Sequence, residues 1–159
     1  MNTCGKIMMV DDDQKLGQSY KRSLKRLGLE IEIYDSAQKA LSDLTSDWPG
    51  IVVTDIMMPG IDGLTVMKKV KYFDPDLPVV LVTGRGDIPM AVEAIRDGAY
   101  DFLEKPVEME SLQKVMEHAL EKRRFVLELR KLRAQIASYD QSSLTLMGTS
   151  PSMEQLRKI

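Results

Sequence analysis

The 159-residue chain predicts a doubly wound α/β fold, a five-stranded parallel sheet with helices on both faces and an extended C-terminal helix. Three observations carry that prediction. Short continuous apolar runs recur, they alternate with stretches of helical periodicity, and three of them end abruptly in polar residues. Unbroken apolar runs are what a parallel sheet covered on both faces requires.

The elements follow in order. Ile7 to Val10 is a four-residue apolar run that meets Asp11-Asp12-Asp13, as a central buried strand would. A helix follows with Leu16, Tyr20, Leu24 and Leu27 on one face, closed by Gly28. Leu29, Ile31 and Ile33 alternate with Glu30 and Glu32, the pattern of a half-exposed edge strand. Ser36 caps a helix carrying Ala37, Ala40, Leu41 and Leu44, and the turn Trp48-Pro49-Gly50 leads into the run Ile51 to Asp55. After the loop Met58 to Gly63 comes a helix through Val66, Met67, Val70 and Tyr72. Val79 to Thr83 is the fourth strand, Asp87 and Pro89 open a helix that stops at Gly98, and Tyr100 to Glu104 is the fifth strand, ended by Lys105-Pro106.

From Glu108 to about Ser138 there is no Gly or Pro and helix formers dominate. Leu112, Val115 and Ala119 suit packing on the same domain. Phe125, Leu129, Leu132, Ile136 and Tyr139 recur at alternating spacings of four and three, a short heptad seam that predicts a coiled coil with a second chain. Glu121-Lys122-Arg123-Arg124 is expected to be a solvated stretch. Asp140 to Thr149 reads as a linker, and Ser150-Pro151-Ser152-Met153-Glu154 as the start of another helix whose domain is cut short. The domain boundaries expected are 1–122 for the α/β domain, 123–140 for the dimerisation helix, and 141–159 for a linker and the start of a further domain.

Composition narrows the class. Hydrophobic residues make up 43% and charged residues 29%, the mix of a globular protein. Twenty-two basic and 24 acidic residues leave a net charge of −2, which argues against nucleic-acid binding by bulk attraction. No apolar run reaches membrane-span length, and the single Cys4 excludes an internal disulfide, so a cytoplasmic location is expected.

In an open parallel sheet, ligands bind at the carboxyl ends of the strands, near the point where strand order reverses. There the sequence places Asp11-Asp12-Asp13, Asp55, Thr83 and Lys105. Carboxylates converging without counter-charge repel, and a hard divalent cation with oxygen ligands relieves them; Mg²⁺ suits such a cluster. Lys105 and Thr83 add a charge and a hydroxyl, the groups that hold phosphoryl oxygens. The chemistry expected is phosphoryl transfer to a carboxylate. Taken singly, each residue has an ordinary explanation: an aspartate after a strand is commonly a turn former or cap, and Asp13 is read as one.

The residues Val10-Asp11-Asp12, Asp55-Ile56-Met57-Met58-Pro59-Gly60-Ile61-Asp62-Gly63, Val82-Thr83-Gly84 and Lys105-Pro106 resemble, in order and context, the motifs of response-regulator receivers. The resemblance covers about residues 5 to 120. It implies the flavodoxin-like receiver fold, with Asp55 as phosphoacceptor and Asp11, Asp12, Asp55 and the backbone carbonyl of Met57 as Mg²⁺ ligands. It further implies that Thr83 and Lys105 hold the phosphoryl group, that Thr83 and Phe102 switch together, and that Lys105–Pro106 is a cis bond. Val107 departs from the family, where Phe commonly follows Lys-Pro. Arg85 and Met57 fall where the family varies to tune phosphoryl lifetime.

The segments Asp87 to Val92 and Asp97 to Phe102 are similar to receivers of the nitrogen-regulator type, including those of C4-dicarboxylate transport. Met147 to Met153 is similar to the entry of the AAA+ module in sigma-54-dependent activators. The partners implied are a sensor histidine kinase, a second copy through the face of the fourth helix, fifth strand and fifth helix, and a downstream ATPase module. No direct nucleic-acid or membrane partner is expected, nor turnover as an enzyme. Two other classes fit less: a haloacid-dehalogenase-type phosphatase using Asp11 and Asp13, which leaves Asp55 without a role and has Lys15 at an atypical place, and a degenerate receiver that only dimerises. His118 stands alone on a helix, without the nucleotide loop of a kinase.

Overall fold

The computed structural model describes residues 5–58 and 60–147. Among the described residues five strands alternate with helices: β1 (Lys6–Val10), α1 (Gln14–Lys25), β2 (Glu30–Tyr34), α2 (Ala37–Asp43), β3 (Gly50–Asp55), α3 (Gly63–Phe73), β4 (Val79–Thr83), α4 (Ile88–Arg96), β5 (Asp101–Glu104) and α5 (Met109–Met147). A 3₁₀ turn, Arg85–Asp87, precedes α4. All strands are parallel, in the order β2-β1-β3-β4-β5. The chain therefore steps outward from β1 to β2, then reverses to build β3, β4 and β5 on the other side.

Alternation along each strand divides the core into two layers. Met8, Val10, Val52, Val79 and Leu81 face α2, α3 and α4, where they meet Ala37, Ala40, Val66, Met67, Val70, Ala91 and Ala94. Ile7, Met9, Ile51, Val53, Val80 and Val82 face α1 and α5, meeting Tyr20, Leu24, Leu112, Met116 and Ala119. Every residue of β3 and β4 is buried, which is why these strands read as unbroken apolar runs. β2 is an edge strand, with Glu30 and Glu32 exposed between buried or half-buried neighbours.

The helix ends follow their chemistry. Asp13, Ser36 and Asp62 cap α1, α2 and α3 by accepting the backbone N–H of Leu16, Lys39 and Thr65. Gly28 and Gly98 take positive φ just after α1 and α4, where a side chain would be strained.

Four expectations change. α1 ends at Lys25, so Leu27 is 41% exposed and Leu29 fills the core instead. Tyr72 is 93% exposed, because α3 buries the stripe of Val66, Met67 and Val70 and Tyr72 lies off it. Arg123, expected in solvent, is 1% exposed, while Glu121, Lys122 and Arg124 are exposed. Finally, residues 141–147 are helical: Ser142, Ser143 and Thr145 continue α5, since no Gly or Pro interrupts it before Gly148. Cys4, Pro59, the side chain of Arg85 and the stretch Gly148 to Ile159, with the expected helix start at Ser150 to Glu154 and the start of a further domain, lie outside the described residues.

The chain divides into one compact unit ending at Arg124 and another beginning at Phe125. In the second, Phe125, Leu132, Ile136 and Tyr139 are exposed and Leu129 is half-buried. No helix among the described residues is long and apolar enough to cross a membrane.

Candidate functional site

The strand order places the ends of β1 and β3 side by side. Val10 pairs with Thr54, so the next residues, Asp11 and Asp55, leave the sheet together. Asp11 is buried; its N–H donates to the Tyr34 carbonyl (3.0 Å) and its Oδ1 accepts the Asp13 N–H (2.9 Å). Asp55 is also buried, and its Oδ1 accepts the Met57 N–H at 3.2 Å. Asp12 is exposed at the rim. One carboxylate oxygen from each of Asp11, Asp12 and Asp55 lies within 4.8 Å of the others.

The other two strands complete the site. Asp55 pairs with Val82 across β3 and β4, which places Thr83 one residue further along. The Lys105 N–H donates to the Thr83 carbonyl at 2.8 Å, and Lys105 Nζ reaches Asp55 Oδ2 at 2.6 Å. The Lys105–Pro106 peptide bond is cis. Thr83 is fully buried, and its hydroxyl donates to the Gly84 carbonyl at 3.1 Å rather than to Asp55. Phe102 is half-buried against the core layer of α4 and pairs with Leu81. The Met57 side chain is exposed.

Burial and charge together set the electrostatics. Burial raises the Asp11 carboxyl above its usual range; the Asp13 N–H opposes this and the Asp55 charge adds to it. Burial alone would lower Lys105, but the hydrogen bond and charge of Asp55, with the Asp11 charge, outweigh it and raise the ammonium. Three carboxylates against one ammonium leave two negative charges on a site whose donors are all oxygens. That donor set fits a hard divalent cation such as Mg²⁺. A groove of about 310 Å³, lined by Asp12, Ser36, Met58, Gly60 and Ile61 among others, opens beside the cluster.

Three residues of the site have roles that the sequence did not reveal. Tyr20 is buried on α1 within electrostatic reach of Asp11, Asp55 and Lys105; helical periodicity marks it only as core. Tyr34 ties the edge strand to Asp11 through its backbone. Gly63 donates its N–H to the Ile56 carbonyl at 2.8 Å, and a Cβ there would overlap the Asp55 carbonyl. The Asp62-Gly63 pair is therefore a cap followed by a close approach to the Asp55 backbone.

Comparison with known proteins agrees with this geometry. Residues 7–117 match the response regulator receiver domain. The chain is 45% identical over 158 residues to the C4-dicarboxylate transport transcriptional regulatory protein DctD of Rhizobium meliloti, covering 99% of this chain and 34% of that protein. It is 40% identical over 120 residues to the transcriptional regulatory protein FixJ of Bradyrhizobium diazoefficiens, covering 76% and 58%. Among solved structures, the receiver domain of NtrX from Brucella abortus superposes with a TM-score of 0.68 at 39% identity, covering 72% of this chain and 98% of that one. The chain spans about a third of the length of the first curated relatives. Carboxylates from β1 and β3, a lysine after β5 and a match over residues 7–117 have one common explanation: this chain belongs to the response regulator receiver domain family.

Proposed function

We propose that this chain is a phosphorylation switch in which Asp55 accepts a phosphoryl group from a phosphohistidine of a sensor histidine kinase. The observation that carries the reading is the Asp55 carboxylate, buried at a strand end, within 4.8 Å of two other carboxylates and 2.6 Å from Lys105. An Asp55 oxygen attacks phosphorus as the phosphorus–nitrogen bond breaks, and the imidazole nitrogen keeps the electron pair and takes a proton. Asp11, Asp12, Asp55 and the Met57 carbonyl would hold Mg²⁺, which supplies charge neutralisation for the phosphoryl oxygens. Lys105, paired with Asp55 before transfer, would follow the negative charge from the carboxylate to the phosphoryl group.

Asp13 supports this reading over a phosphatase, because its Oδ1 is committed to capping α1. For the switch, Thr83 would exchange the Gly84 carbonyl for a phosphoryl oxygen, and Phe102 would follow into the space left. Val92 and Ile95, partly exposed on α4, belong to the face that would change its fit to a second copy. The exposed seam of Phe125, Leu132, Ile136 and Tyr139 suits a coiled coil within the same dimer. In the longer protein this would govern an AAA+ ATPase of a sigma-54-dependent transcription activator. The chain would then be a switch with slow self-dephosphorylation, not a turnover enzyme, acting in the cytoplasm.

The test is intact mass after incubation with acetyl phosphate and Mg²⁺. A gain of one phosphoryl group, lost with chelator and in Asp55→Asn, supports the switch. No gain under any condition leaves only a dimerising module.

A further inference from the structure

The side chain most at odds with its sequence context is Arg123, fully buried at the end of the first compact unit. Its Nη2 pairs with Asp74 Oδ2 at 2.8 Å and its Nε donates to the Trp48 carbonyl at 2.8 Å. Both partners have further contacts of their own. Asp74 closes α3, donating its N–H to the Val70 carbonyl and accepting the Asp76 N–H on Oδ1. Trp48 is buried beneath Lys6, whose ammonium sits 5.7 Å from the ring centre, and the backbone N–H of Trp48 donates to the Thr45 carbonyl.

Arg123 continues the buried stripe of α5. Leu112, Met116, Ala119 and Leu120 face the core, and Arg123 follows at the next core-facing position, where an apolar residue would ordinarily stand. Two residues on, Phe125 is 65% exposed and opens the seam. A buried ion pair is poor value for stability, since desolvation offsets most of the attraction. Arg123 Nη1 and Trp48 Nε1 are also buried without a protein acceptor among the described residues. What such a pair supplies is a unique position: a leucine could slide by a turn, whereas a guanidinium fork fits one carboxylate and one carbonyl.

The pair lies at the amino-terminal edge of the sheet, before β3 and β4 begin, while Asp55 and Thr83 end those strands. A strand of six residues separates the two ends by roughly 16 Å, so Arg123 takes no part in phosphoryl chemistry.

We propose that Arg123 is a clasp. Its bonds to Asp74 and to the Trp48 carbonyl fix the last receiver turn of α5, and a phosphorylation-dependent change in assembly must pass through that turn to reach residues 125–147. The second half rests on the switch reading above.

The test compares the chain with the double variant Arg123→Met, Asp74→Asn. Methionine keeps the stem's volume and asparagine keeps the acceptor for Asp76, so both charges leave together and the melting midpoint is retained. Three quantities are read: amide exchange over residues 117–124, emission of Trp48 (the chain's single tryptophan), and sedimentation with and without Mg²⁺ and beryllium trifluoride. The clasp predicts exchange about tenfold faster at 117–124, a changed Trp48 emission, unaltered Mg²⁺ binding, and loss of the trifluoride-dependent change in sedimentation coefficient. Wild-type exchange in the double variant overturns the proposal, and so does faster exchange with an unchanged sedimentation response. If the unsubstituted chain shows no trifluoride response, the switch reading and the coupling fall together, while exchange still shows separately whether Arg123 holds the turn. Should the double variant not fold, Arg123→Lys keeps the charge and loses the fork. It is then expected to show about threefold faster exchange, and wild-type exchange there overturns the clasp.

Discussion

Lys105 Nζ donates to Asp55 Oδ2 at 2.6 Å, across 50 residues of sequence and from opposite sides of β4. The bond joins the last strand to the central one at the point where three carboxylates meet. Lys105 is about one-third exposed and Asp55 is buried, so the lysine compensates a charge that has little access to water.

Replacing the lysine separates its two effects. Lys105→Met leaves Asp55 buried without its ammonium, and after discounting for the lysine's exposure the cost is about 1–2 kcal/mol in a denaturant titration. The same change removes the cation that competes for Asp55, so Mg²⁺ affinity should rise while phosphoryl uptake from acetyl phosphate slows by about tenfold or more. Affinity that falls instead would show that Lys105 supports the metal site rather than opposing it.

The Asp11 carboxyl sets a pH dependence with opposite signs for stability and for metal binding. Its folded value is raised above 3.8, so the folded chain holds the proton more tightly than the unfolded chain. The stability contributed by that proton is complete below 3.8 and is lost as pH rises through the folded value. Mg²⁺ needs the ionised group, so its affinity falls as pH drops through the same value. Melting and Mg²⁺ titrations across about pH 4 to 7 check both, and Asp11→Asn should remove the melting component. An unchanged melting slope in that variant would assign the titration to another group.

Gly63→Ala tests the close approach behind the metal-site loop. A methyl group there overlaps the Asp55 carbonyl and crowds the Ile56 backbone, neither of which is a flexible side chain. The expected cost is about 1–3 kcal/mol of stability, with weaker Mg²⁺ binding because Asp55 must shift. Full Mg²⁺ affinity in the variant would mean that α3 yields instead of the strand.

The seam is tested by charge. Leu132→Asp or Ile136→Asp places a carboxylate where an apolar contact of about 1.5–3 kcal/mol is expected, which should weaken self-association at least about tenfold in sedimentation velocity. The compact unit ending at Arg124 should keep its melting behaviour. Unchanged association would place any dimer contact elsewhere, with the exposed Val92 and Ile95 of α4 next to be tested.

Most elements and the order of the site motifs were legible in local composition. Ile7 to Val10, Ile51 to Asp55 and Val79 to Thr83 are unbroken apolar runs because both faces of their sheet are covered, and local composition records that directly. The caps Asp13 and Ser36 and the stop at Gly98 were legible for the same reason, since each acts on residues within one turn. Tertiary structure alone decided what depends on distant partners. Strand order brought Asp11 beside Asp55, and pairing with β4 set Lys105 against it. Tyr72 looked apolar and lies in solvent, while Arg123 looked solvated and is buried, because its charge is answered by Asp74, 49 residues away, and by the Trp48 carbonyl, 75 residues away. Periodicity reports which face of a helix is apolar, whereas a buried charge is settled by the groups that the fold brings to meet it.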